Sequence, residues 1–380
     1  MTRTVTIAAV QLDVRPAPLE QRLERAERQA EQAAAQGAQL VVLPELFNRG
    51  YAYVDENYPS AETVSGPTAG WMRRTAARLG IHLAGSLLLL DGDEVYNTLL
   101  LFAPDGRMWR YDKRFPWGWE RAYFRDGHHA SVAETDLGRI GMLICWDIAH
   151  PQLWAEYAGL VDLMLVASCP PDVSNPTYHL PDGTTLSPDD LGPQIARMRD
   201  QGRVIFGETI DAQAAWLGVP VVQTVGCGRV ETPIPRGAAA LLAMVPSAPG
   251  LLRYLPQASG MHMSCGMNRG CKVVDAQGTV LAETPEGAGE TFALATVELP
   301  DARPQPQGPQ PAMGVLPATY LLSDGLLPWL MRPLYRRGVR RFWGQHMAPS
   351  TGLPLAPALA LIALVLALVA LARRFGVRHA

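Results

Sequence analysis

The chain has 380 residues, 48% hydrophobic and 18% charged, which suits one large folded domain or two ordinary ones and excludes a disordered chain. Its formal net charge of −3 gives no global basic field for nucleic acid. The cysteines Cys145, Cys169, Cys227, Cys265 and Cys271 are odd in number and form no CxxC pair, which argues against a disulfide framework or zinc ribbon and for reduced thiols in the cytosol.

In chain order, Val5 to Leu12 reads as a buried strand, Leu19 to Gln36 as a helix rich in Ala, Glu, Gln and Arg, and Leu40 to Leu43 as a second strand. Pro67 to Leu79 reads as a helix with its proline near the start. Ile81 to Leu90 and Val95 to Ala103 read as strands joined by the tight turn Asp91-Gly92. Ile140 to Ile144 is a strand, Pro151 opens a helix ending near Gly159, and Val161 to Ala167 is again a strand. Strands alternating with helices imply a layered α/β domain. Residues 170–206, with Pro170, Pro171, Pro176, Pro181, Pro188 and Pro193, break this rhythm. A strand–helix unit resumes near Ala212 to Val225, an apolar stretch punctuated by Pro and Gly fills 233–260, and Lys272 to Ala282 and Phe292 to Val297 close the domain as strands.

The C-terminal quarter differs in composition. Residues 301–325 are expected as a Pro-rich linker after a catalytic domain spanning 1–300. Residues 326–347 mix Trp329, Tyr335, Phe342 and Trp343 with arginines, which suits either a membrane-interface segment or an ordinary surface helix. Met347 to Ala372 carries no charge, and 353–372 is expected to form a transmembrane helix, since a bilayer core needs about 20 apolar residues. The N-terminus lacks the pattern of a signal peptide. Arg332, Arg336, Arg337, Arg340 and Arg341 precede the apolar run and Arg373, Arg374 and Arg378 follow it, a bias that places the catalytic domain on the cytoplasmic side.

Three residues suggest chemistry. Cys145 follows an apolar strand and precedes a helix, a turn that exposes a thiol and offers backbone N–H groups to an oxyanion. Taken alone, such a cysteine reads as a small buried hydrophobe. Glu45 lies just past one strand and Lys113 just past another, and strand ends in parallel α/β sheets converge on one rim. A thiol, a carboxylate and an ammonium together suit acyl transfer. His150 offers a Cys–His pair with Cys145, but the intervening turn carries it away. His128-His129 has no further ligands at metal spacing, and Gly226-Cys227-Gly228 lacks the third glycine of a dinucleotide loop, so neither motif points to a metal or a cofactor.

Pro44-Glu45-Leu46, Tyr111-Asp112-Lys113 and Ile144-Cys145-Trp146-Asp147, in this order, resemble the nitrilase superfamily of carbon–nitrogen hydrolases. Ala8-Ala9-Val10-Gln11, Asn97-Thr98 and the hairpin Val274 to Val280 are similar to the family as well, and the likeness covers roughly residues 5–298. The resemblance implies an α-β-β-α sandwich and a metal-independent thioacyl intermediate on Cys145. It assigns Glu45 as base, and Lys113 with the backbone N–H of Trp146 as oxyanion stabilisers. Glu120 matches a second family glutamate that orients the substrate or the lysine. Trp117, Trp119 and Trp146 suit either the pocket or the core. A homodimer is a further implication of the family. The expected function is a membrane-tethered hydrolase of amides or nitriles, with an N-acyltransferase using a lipid-like acyl donor as the alternative. The long 170–206 and apolar 233–260 stretches argue against small polar substrates.

Overall fold

The computed structural model describes residues 3–245, 248–268, 270–299, 302 and 304–344; the expected transmembrane helix at 353–372 lies outside them. Strand Arg3–Asp13 alternates its side chains between two apolar environments. Ile7 and Ala9 share one core with Leu40, Val42, Ile140 and Met142. Ala8 and Val10 share another with Ala26 and Ala30 of helix Leu19–Ala35. A strand buried on both faces reads as a continuous apolar run, as this one does.

Arg3–Asp13 pairs in parallel with Leu40–Val42 and antiparallel with Thr291–Leu299, and the sheet continues through His82–Asp91, Glu94–Phe102 and Met108–Asp112. A second sheet runs in the order Val280–Glu283, Lys272–Val274, Val221–Thr224, Leu163–Ala167, Gly138–Ile144, Val132–Thr135. The two sheets share the central core. Helices Leu19–Ala35 and Pro67–Leu79 cover the outside of the first, and Pro151–Tyr157 and Glu208–Leu217 that of the second. This is the expected α-β-β-α sandwich. Its signals are local. Pro67 starts the second helix and Gly80, at φ 65°, ends it in the left-handed conformation. Gly92, at φ 57°, makes the tight turn between His82–Asp91 and Glu94–Phe102.

Two regions depart from the sequence reading. The Pro-rich break supplies strands Thr177–His179 and Thr185–Leu186, which join His262–Gly266 and Arg229–Pro233 in a separate four-stranded sheet. These strands of two to five residues pair with distant partners, so they carry almost no periodic signal. The unit near Ala212 to Val225 runs helix first, Glu208–Leu217, then strand Val221–Thr224.

The C-terminal segment lies on the domain. Gln307 N donates to Trp216 O (2.8 Å), Trp216 Nε1 donates to Gly308 O (3.2 Å) and Gln310 Nε2 donates to Pro151 O (2.8 Å). The described part of the stretch expected as a linker is thus laid along helix Glu208–Leu217. Helix Leu327–Trp343 then turns Met331, Tyr335 and Val339, spaced four residues apart, into the protein. Their apolar stripe packs with Tyr58 and Tyr123, so this face meets the domain and not a membrane interface. Arg332, Arg337, Arg340 and Arg341 are exposed. Among the described residues no helix is long and apolar enough to cross a membrane.

Gly338 makes the close approach possible: a Cβ there would lie 2.0 Å from Cζ of Tyr58. Gly338→Ala is expected to lower stability by about 1–3 kcal/mol through overpacking. The midpoint of denaturant unfolding measures this, and an unchanged midpoint would show that the helix does not dock on Tyr58.

Candidate active site

Glu45 follows strand Leu40–Val42 through Pro44, and Leu46 behind it takes φ 51°. Leu46 N donates to Ser86 Oγ (2.9 Å), Ser86 Oγ to Asn97 Oδ1 (2.9 Å), and Asn97 Nδ2 to Glu45 Oε1 (2.7 Å). Lys113 follows strand Met108–Asp112, and its backbone N–H donates to Asn97 O (2.9 Å). Asn97 therefore fixes both residues. Lys113 Nζ donates to Glu45 Oε1 (2.8 Å) and to Glu120 Oε2 (2.6 Å), and all three side chains are buried. Glu120, in the turn Gly118–Ala122, is held by Tyr51 OH (2.8 Å) and Trp117 N (2.8 Å).

Two carboxylates face one ammonium away from water, and this imbalance acts on Glu45 and Lys113. Burial opposes the charge on Lys113, but Glu120 and Glu45 outweigh it and raise its pKa above the usual lysine value. Burial, reinforced by Glu120 and opposed by Lys113, raises Glu45 to about 7. Glu45 Oε2 is buried with no hydrogen bond among the described residues, and Cys145 is near enough to act on this carboxyl.

Cys145 ends strand Gly138–Ile144 and begins the short helical turn Cys145–Ala149 at φ 49°. A non-glycine residue in this region costs roughly 1–2 kcal/mol, and such strain persists where surrounding structure enforces it. Burial pushes the thiol pKa well up and Glu45 adds to the rise, while Lys113 pulls the other way. The resting sulfur is therefore a thiol that must lose its proton during attack, and Glu45 Oε2 is the nearby oxygen without another bond.

Asp147 locks the elbow. Its carboxylate accepts from Ile144 N (3.1 Å), Arg114 N (3.1 Å), Phe115 N (2.8 Å) and Tyr111 OH (2.8 Å), which ties the Cys145 turn to the segment beyond Lys113. Asp147→Ala strands buried donors, so it should lose more than about 2 kcal/mol of stability. Misplacing the elbow should also cost about a hundredfold in kcat. Unfolding and steady-state rates check this; two unchanged values would show that Asp147 does not set the geometry.

The structure brings Glu45, Lys113, Glu120 and Cys145 together. It turns His150 away from the thiol: Nδ1 lies 3.1 Å from Trp146 O, and Nε2 lies 3.1 Å from Asp324 Oδ2. Trp146 Nε1 also donates to Asp324 (3.1 Å). Asp324 was missed in the sequence, although it is the sole acidic residue in 302–380 and so stood out. Asn97 and Asp147 sat in quoted motifs but without roles. Among the described residues no group of three or more His, Cys, Asp or Glu side chains has metal-holding geometry.

Cys145 opens into a cavity of about 160 Å³. Trp117, Trp119 and Trp146 form its near walls. Ile195 and Phe206 come from the Pro-rich break, Leu241 and Met244 from helix Gly237–Met244, and Leu322 and Leu327 from the C-terminal segment. Both stretches that looked anomalous in the sequence thus line the cavity beside the thiol.

Residues 6–181 match the Carbon-nitrogen hydrolase family profile. A nitrilase of Pyrococcus abyssi is 31% identical over 153 residues, 39% of this chain and 58% of its own length. Omega-amidase NIT2 of Danio rerio is 34% identical over 164 residues, 40% of this chain and 58% of its own length. The chain thus spans little more than half the length of these curated relatives. Saccharomyces cerevisiae Nit3, a member of branch 10 of the nitrilase superfamily, superposes with a TM-score of 0.55 at 20% identity, over 78% of this chain and 90% of its own, a likeness of fold. These are likenesses to carbon–nitrogen hydrolases over part of the chain and, for the solved structure, a likeness of fold.

Proposed function

Taking residues 6–181 as a carbon–nitrogen hydrolase segment of the nitrilase superfamily, we propose that this chain hydrolyses amides or nitriles through a covalent acyl intermediate on Cys145. The observation that carries the reading is the buried Lys113, shared by Glu45 and Glu120 beside a strained cysteine. For an amide, Glu45 takes the thiol proton as sulfur attacks the carbonyl carbon. Lys113 and the Trp146 backbone N–H stabilise the oxyanion. Collapse breaks the C–N bond, and Glu45 passes its proton to the departing amine. Water, deprotonated by Glu45, then attacks the thioester. The carboxylic acid leaves and Cys145 regains its proton. Glu120 does not touch the reacting atoms; it keeps Lys113 charged and aimed.

Release of ammonia from a panel of primary amides tests this reading. Because Glu45 must be ionised to accept the thiol proton, and burial raises it to about 7, kcat/KM should fall as pH drops below about 7. A profile flat through that range would contradict the assignment of Glu45 as base.

The apolar cavity walls support a second reading, in which an amine displaces water from the thioester and the chain acts as an N-acyltransferase. Adding hydroxylamine distinguishes them: hydrolysis gives mainly carboxylic acid, acyl transfer mainly hydroxamate. The uncharged run at 353–372 supports a membrane tether with the catalytic domain on the cytoplasmic side. Protease digestion of intact vesicles tests it, and cleavage of the domain from the outside would reverse the orientation.

A further inference from the structure

Gln201, at the start of helix Gln201–Ile205, lines the cavity beside Cys145 and is only 8% exposed. Its Oε1 accepts from Leu316 N (3.1 Å) and from Thr319 Oγ1 (2.7 Å). Leu316 N can only donate, so the amide cannot be flipped, and Nε2 is fixed on the other side. That NH₂ group is buried and finds no acceptor among the described residues. Trp119 Nε1, on another cavity-lining residue, is also buried without an acceptor. A buried donor left unpaired is costly, so two on the lining residues of one cavity point to an acceptor that reaches them as the lining side chains part around a guest.

The rest of the lining narrows the chemistry. None of the described lining residues is Lys, Arg, His, Asp or Glu. An anionic group would be buried there with no cation to meet it, which disfavours a carboxylate. An apolar cavity of about 150 Å³ takes a benzene-sized guest, and this one measures about 160 Å³. We propose that the substrate's acyl group is an apolar body of about benzene size bearing one uncharged oxygen acceptor, and that Gln201 Nε2 recognises this oxygen. The proposal rests on the hydrolase reading for the identity of the site, and it makes Gln201 a specificity-determining residue outside the Glu45–Lys113–Cys145 set. Its supporting frame is the C-terminal segment: Leu316 and Thr319 fix the amide from 304–344, so this segment takes part in substrate choice.

The test uses matched amides of one shape: meta- and para-acetylbenzamide against meta- and para-isopropylbenzamide, with benzamide and acetamide as references. Binding is measured by calorimetry on the Cys145→Ala chain, which holds amides without turning them over, and ammonia release is measured on the wild type. Acetamide should bind most weakly. One acetyl isomer should bind about tenfold more tightly than its isopropyl counterpart, the scale of one hydrogen bond to a donor otherwise left unpaired. Adding Gln201→Met should bring that acetyl-to-isopropyl ratio to about one; the ratio is taken within one variant, and residual binding of the isopropyl amide reports an intact cavity. Equal binding within both pairs, acetamide binding as tightly as benzamide, or a preference that survives Gln201→Met would each overturn the proposal. The hydrolase reading fails separately, if the preferred amide binds but the wild type releases no ammonia from it.

Discussion

Replacing Lys113 with methionine lowers kcat/KM by about a thousandfold and costs about 3–5 kcal/mol of stability. The two losses share one cause. Lys113 is fully buried and its ammonium is the cation between Glu45 and Glu120. Without it, two carboxylates remain away from water with no positive partner, and at least one must take a proton to stay buried. A protonated Glu45 cannot accept the thiol proton, and the oxyanion loses a charged donor. The double variant Lys113→Met/Glu120→Gln separates the effects. It removes one uncompensated charge, so unfolding by urea should show most of the stability restored while ammonia release stays low. Recovery of both would mean that Lys113 serves only to neutralise Glu120.

Cys145→Ala abolishes turnover, because Cys145 is the thiol on which both Glu45 and Lys113 act. The variant should still fold, since only one buried sulfur is removed. Its stability carries information about the elbow. Cys145 sits at φ 49°, where an alanine remains strained and a glycine does not. Cys145→Gly should therefore be more stable than Cys145→Ala by about 1 kcal/mol, reversing the usual order of these residues. Both variants lack the thiol, so denaturation midpoints isolate the backbone term. If the alanine variant is the more stable, the surrounding structure does not impose the strain.

The parts legible in the sequence were those encoded locally. The buried strands were runs of Val, Leu, Ile and Ala long enough to recognise, and Glu45, Lys113 and Cys145 each stood just past one. Pro67 and Gly80 bounded a helix whose limits the structure reproduces. What was hidden depended on distant pairing. Thr177–His179 is three residues long and gains strand geometry from pairing with Thr185–Leu186 and with the distant His262–Gly266. The cavity draws its walls from Trp117, Phe206, Leu241 and Leu322, which no local pattern relates. The stripe Met331, Tyr335, Val339 looks the same whether it meets lipid or protein; the absent side chain of Gly338 against Tyr58 decides for protein. Asn97 and Asp147 were visible as motif letters, but their work is to hold other residues, and that requires coordinates.

In the proposed reaction the acyl group passes through Cys145. Peptide mass mapping of wild-type enzyme, quenched in acid in the first turnover with a hydrolysed amide, tests it most directly. The expected result is the acyl mass on the peptide carrying Cys145 and nowhere else. An acyl mass on a different residue, or enzyme that stays unacylated while releasing a full first-turnover burst of ammonia, would contradict it.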